Sequence, residues 1–134
     1  MSERLRKFRR IDHLQRRLHD LSVWRLSALG RQRDQINAAH AEMLNAMSAG
    51  FFAFGSAAAA ANRRIRAIEV EIENANRAHE NQSRRSLELG ARSQLAGASL
   101  RAATEQSRRD RQNRELADLI EEMLRASGSA SRKG

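Results

Sequence analysis

Apolar residues recur along this chain in steps of three and four, the spacing of one helical face, and the pattern breaks at a single place. Ile11, Leu14, Leu18 and Leu21 open a seam of coiled-coil type. After Ala28 the pattern slips by one position and resumes at Ile36, Ala39, Met43 and Ala46, which predicts a stutter that locally relaxes the supercoil. The break falls at Gly50-Phe51-Phe52-Ala53-Phe54-Gly55. Beyond it, Ile65, Ile68, Ile72 and Ala75 begin a second seam. This seam thins through His79, Gln82 and Ser86 and recovers at Leu89, Ala96, Leu100 and Ala103. Leu116 to Leu124 form a separate apolar patch, and Trp24, beside Leu21, is expected to shield the first seam.

The predicted architecture is all-α: an antiparallel two-helix coiled-coil hairpin forming one domain. Helix 1 covers about 3–48, the tip about 49–56 and helix 2 about 57–126, with a frayed, disordered polar tail over 127–134. The chain contains no proline, the strongest helix breaker. Helices of these lengths would span roughly 70 Å and 105 Å, so that helix 2 overshoots the amino terminus by several turns. The interior glycines Gly90 and Gly97 each weaken helix 2 by about 1 kcal/mol relative to alanine.

Composition agrees with a narrow seam rather than a layered core. Aromatic residues make up 4% of the 134 residues and charged residues 31%, and much of the 40% hydrophobic fraction is alanine. The absence of cysteine excludes disulfides and thiolate metal sites and fits a reducing compartment. No apolar stretch follows the basic start Met1-Ser2-Glu3-Arg4-Leu5-Arg6-Lys7, so a secretory signal is not expected. Met43 to Ala61 has no formal charge, but it is diluted by Ala, Gly, Ser and Asn and reads as a hairpin tip with an apolar knob rather than a membrane span. The expected location is the cytoplasm.

The net charge of +9 is uneven. Residues 1–33 carry +7 and residues 81–114 carry +5, whereas 34–80 carry −2 and the last twenty −1. In a hairpin the two basic blocks lie side by side along the stem and suit an acidic partner surface.

Catalytic patterns are missing from the sequence, and no enzymatic activity or cofactor is expected. There is no Gly-x-x-x-x-Gly-Lys loop. His13 and His19 are six apart and point in different directions on a helix, while His40 and His79 are isolated, so solvated or seam-edge histidines are expected rather than metal ligands. Arg108-Arg109-Asp110-Arg111-Gln112-Asn113-Arg114, followed by Leu116 and Met123, resembles a basic region leading into a zipper, but only one heptad step follows it. A nucleic-acid-associated basic coiled coil is therefore the second reading, and a structural coiled-coil scaffold the third.

One antiparallel hairpin with a basic stem and a longer second helix resembles the FliJ-type proteins, the central stalk of the flagellar type III export ATPase, and is similar to the injectisome stalk proteins. Ile68, Ile72, Ala75 and His79 match a family stripe of large apolar, three residues, leucine, two residues, alanine, three residues, histidine. The first two positions here are isoleucines, and no tyrosine or tryptophan lies just upstream. The same residues also serve as ordinary seam positions. The acid-rich Arg114-Glu115-Leu116-Ala117-Asp118-Leu119-Ile120-Glu121-Glu122 is similar to the ending of such stalks. The resemblance implies a non-enzymatic adaptor that couples a hexameric export ATPase to the cytoplasmic domain of the export gate, with export chaperones as further partners and the membrane reached only through partners. It assigns Ile68, Ile72, Ala75 and His79 to the gate. It assigns Arg4, Arg6, Lys7, Arg9, Arg10, Arg16, Arg17, Arg108, Arg109, Arg111 and Arg114 to the ATPase pore, whose acidic loops would be the complementary surface.

Overall fold

The computed structural model describes residues 2–50 and 55–133. It is an all-α helical hairpin of two helices, α1 (Glu3–Ser48) and α2 (Gly55–Lys133). The aromatic tip residues Phe51, Phe52 and Phe54 lie outside the described residues.

Local chemistry explains the helix ends. Ser2 caps α1: its Oγ accepts a hydrogen bond from the Leu5 backbone N–H at 3.2 Å, satisfying one of the donors that a helix start leaves open. At the other end Gly50, with φ 82°, takes the left-handed conformation that glycine adopts without a side-chain clash, and its N–H donates to Met47 O at 3.0 Å. Gly55, with φ 73°, opens α2 in the same way. The predicted end of helix 2 near 126 is corrected, because α2 runs on through Lys133. Polar composition removes burial from that stretch, but with no proline to stop it a helix already nucleated extends by one hydrogen bond per residue.

Contacts divide the molecule into two compact units, one built from the chain up to Gln15 and from Ser93 onward, the other from Arg16–Arg92. In the second unit, His19 faces Gly90, Ser22 faces Ser86, Gly30 faces His79 and His40 faces Glu69, so the helices are antiparallel. Its buried residues are Ala61, Ile68, Leu89, Ser22 and Ser86, with Ile68 only 3% exposed. In the first unit Leu5, Asp12 and Ala96 are buried. No large side chain among the described residues is completely enclosed, as expected of a seam one residue wide.

The register of α1 differs from the sequence expectation. In the first unit α1 turns Leu5, Phe8, Asp12 and Gln15 toward α2. In the second it turns His19, Ser22, Leu26, Leu29, Arg33, Ile36, His40, Met43 and Met47 inward. These positions alternate steps of three and four without interruption, so the predicted stutter after Ala28 is absent. Ile11, Leu14, Leu18 and Leu21 each sit one residue off this series and are exposed. Ala39 is exposed as well, and Trp24, expected to shield the seam, is 66% exposed.

The physical reason is that a helix without a stutter has one inward face. Facing Leu5, Phe8, Leu26, Leu29, Ile36 and Met43 inward carries Asp12, Gln15, His19 and Ser22 in with them. Around Ser22 the polar seam is satisfied locally, whereas the buried Gln15 Oε1 has no hydrogen-bond partner among the described residues. Ser22 Oγ donates to His19 O at 2.7 Å and meets the Ser86 hydroxyl at 3.4 Å, and Gln82 Nε2 donates to Ser22 O at 3.0 Å. Glycines in α2 make the room: a Cβ at Gly90 would lie 3.1 Å from His19 Nε2, and one at Gly97 would lie 3.5 Å from Asp12 Oδ1. The α2 seam follows the predicted positions from Ile65 to Ala103, and the helix is continuous through 74–86.

Candidate functional site

The first unit carries basic side chains from both helices, and two grooves that share Leu5, Ser107 and Arg111 run between the helices. Arg4, Arg6, Lys7, Arg9 and Arg10 come from the first turns of α1. Arg108, Arg109, Arg111 and Arg114 come from the facing stretch of α2, and every one of these side chains is exposed. A groove of about 520 Å³ runs between Arg4 and Leu5 on one side and Arg111 and Arg114 on the other. A second, of about 300 Å³, lies between Arg9 and the pair Arg108 and Arg111. Arg111 lines both. The remaining residues assigned to the ATPase pore, Arg16 and Arg17, belong to the second unit and are likewise exposed.

The arginines are not equivalent. Glu105 grips Arg108 with two hydrogen bonds, Nη2 to Oε1 at 2.6 Å and Nε to Oε2 at 3.0 Å, and Arg109 Nε lies 3.4 Å from Oε1. The Arg108 hydrogen bond is the leading cause holding the Glu105 carboxyl below its ordinary value, and the same contact raises the Arg108 guanidinium. Asp110 accepts from Gln106 Nε2 at 3.0 Å, and the Arg4 guanidinium stands over the Phe8 ring, 5.6 Å from its centre. Arg6, Lys7, Arg9, Arg10 and Arg111 have no ion pair among the described residues, and their charge is available to an anionic partner. The Glu105 clamp was legible from its spacing of three and four residues to Arg108 and Arg109, a pairing the charge-block argument passed over.

The stripe assigned to the gate has a different setting. Ile68, Ile72, Ala75 and His79 share one face of α2, and that face is the seam turned to α1: Ile68 is buried, and the other three are half-buried. The His79 ring stands against Gly30 of α1, where a Cβ would lie 3.8 Å from Nε2. A partner reading these four side chains together would have to displace α1.

His13 is exposed, while His19, His40 and His79 lie along the seam, and His40 Nε2 is 3.6 Å from Glu69 Oε1. No group of three or more His, Asp or Glu side chains among the described residues is placed to hold a metal ion. No helix among the described residues is long and apolar enough to cross a membrane. No family model, curated protein or solved structure matches the chain.

Proposed function

We propose that this chain is a non-enzymatic helical adaptor of protein export, a central stalk that couples a hexameric export ATPase to an export gate from the cytoplasmic side of the membrane. The observation that carries the reading is that Arg4, Arg9, Arg111 and Arg114, from two helices, line two exposed grooves of the first unit that share Leu5 and Arg111. Exposed guanidinium groups at fixed helical positions suit a surface ringed with carboxylates, and their main effect is on association rate and salt dependence. On this reading the gate contact through Ile68, Ile72, Ala75 and His79 requires the helices to part locally, since those residues face α1.

The test is binding of the purified chain to a purified export ATPase hexamer at two salt concentrations, with Arg9→Glu and Arg111→Glu combined. Both positions are exposed, so helicity measured by circular dichroism should stay the same. The reading expects the double variant to lose at least about tenfold in affinity. Absence of binding, or binding that the double variant leaves intact, removes the stalk assignment. The same arginine face favours one other reading, a nucleic-acid-associated coiled coil. Retention on DNA that falls steeply with salt, without ATPase binding, would put that reading first.

A further inference from the structure

Helix α1 carries two faces of seam spacing, one residue apart. In the second unit it turns His19, Ser22 and Leu26 toward α2 and leaves Leu18 and Leu21 in water. One residue of an α-helix is a rotation of about 100°. Turning α1 by that angle about its own axis would bring in Leu18 and Leu21 and release His19, Ser22 and Leu26. Arg25 would then take a seam place of the kind that the half-buried Arg33 already occupies. Ile36 and Met43 belong to both patterns, so a stutter after Ala28 absorbs the turn without moving them. In the first unit the same turn exchanges Leu5 and Phe8 for Ile11 and Leu14. It also returns to water Gln15, whose buried Oε1 has no hydrogen-bond partner among the described residues.

The two faces are closely balanced. Large apolar side chains trade two for two in the first unit, and in the second the turned face takes in two and gives up one. Against the turn stand the buried Leu5, the contact of Ser22 with the Ser86 hydroxyl, and the hydrogen bond from Gln82 to Ser22 O. Opposite His19 and Ser22, α2 presents only Gly90 and Ser86, which leave room for a leucine in either place. No large side chain among the described residues is completely enclosed, so α1 can turn without dismantling a core.

We infer that α1 is a two-register helix. The polar seam is in equilibrium with a minor register, turned by about 100°, in which Leu18 and Leu21 face Ser86 and Gly90 of α2. A partner that binds one register more tightly shifts the equilibrium toward it, which makes the helix a conformational switch. This device goes beyond the stalk reading and does not depend on it.

The chain has no cysteine, so engineered pairs report the register without background. Three full-length double variants share Ser86→Cys and add Ser22→Cys, Leu21→Cys or Val23→Cys. Leu21 and Val23 flank Ser22 and are equally exposed, at 46% and 45%. Random loosening of the hairpin therefore treats them alike, whereas the turned register brings only residue 21 to residue 86. Closure of the intramolecular disulfide under mild oxidation needs the two Cα atoms within about 7 Å. The Ser22 pair should close fastest, and the Leu21 pair at least about tenfold faster than the Val23 pair. Adding Leu18→Lys, which places an ammonium in the turned seam, should reduce the Leu21 pair to the rate of the Val23 pair. Leu18→Gln replaces it if circular dichroism shows that the lysine variant has lost helicity. A Leu21 pair that closes no faster than the Val23 pair overturns the inference. So does an excess that the Leu18 substitution leaves unchanged.

Discussion

Three glycines in helix interiors provide a test of how closely α1 approaches α2. Replacing a helical glycine with alanine gains about 1 kcal/mol, partly by restricting the unfolded chain, provided the methyl group has room. At Gly97 the new Cβ would lie 3.5 Å from both Asp12 Oδ1 and Arg101 Nη1, an ordinary contact distance. No apolar burial is gained against those polar atoms, so the expected effect of Gly97→Ala is a stabilisation of about 0.5–1 kcal/mol. At Gly30 the nearest atom is His79 Nε2 at 3.8 Å, and the same gain is expected. At Gly90 the Cβ would stand 3.1 Å from His19 Nε2, with two further ring atoms at 3.5 and 3.6 Å. The imidazole must shift by a few tenths of an ångström and loosen its place in the seam, which offsets most of the propensity gain. Urea unfolding followed by circular dichroism at 222 nm reads the difference. With a slope of roughly 1–3 kcal/mol per molar urea, Gly97→Ala and Gly30→Ala should raise the midpoint by about 0.2–1 M, and Gly90→Ala should leave it nearly unchanged. If Gly90→Ala stabilises as much as the other two, His19 is not packed against α2 and the polar seam is misassigned. If Gly97→Ala destabilises, the backbone near Asp12 is tighter than the geometry allows.

The seam register makes a second prediction: Ile68→Ala should cost about 2–5 kcal/mol, whereas Leu18→Ala, measured at concentrations where the chain is monomeric, should change stability by no more than about 0.5 kcal/mol. The reverse ranking would restore Leu18 to the seam. The Glu105 clamp makes a third prediction, on pH. Because the folded carboxyl is held below its unfolded value, its stabilisation is fully present above that unfolded value and is lost as pH falls through the depressed folded one. The stability difference between the parent and Glu105→Gln should therefore be constant near neutrality and shrink in acid, and a difference that persists unchanged there would refute the clamp.

Much of the arrangement was legible from residue spacing. The start and end of α1, the break between Gly50 and Gly55 and the whole α2 seam from Ile65 to Ala103 follow from helical periodicity, the two glycines and the absence of proline. The basic blocks at the start of α1 and before Arg114 were visible as charge and do face each other in the first unit. What misled was the best-looking local pattern. Ile11, Leu14, Leu18 and Leu21 form a better apolar heptad than Asp12, Gln15, His19 and Ser22, and a short window of sequence cannot show that the weaker set faces the partner helix.

By itself, then, the sequence determined two helices, their reversal and their basic character, because propensity, periodicity and charge are properties of short stretches of chain, whereas the continuity of α2 through 74–86 came from the structure. Only the tertiary structure decided which face of α1 is inside. A helix has one inward face along its length, so positions far apart choose it together: Leu5 and Phe8 near one end and Leu26, Leu29, Ile36 and Met43 further on outweigh four residues between them. That choice put histidine, aspartate and serine against the glycines and serines of α2. It also left an isoleucine and leucine stripe in water and determined which arginines are clamped and which remain exposed for a partner.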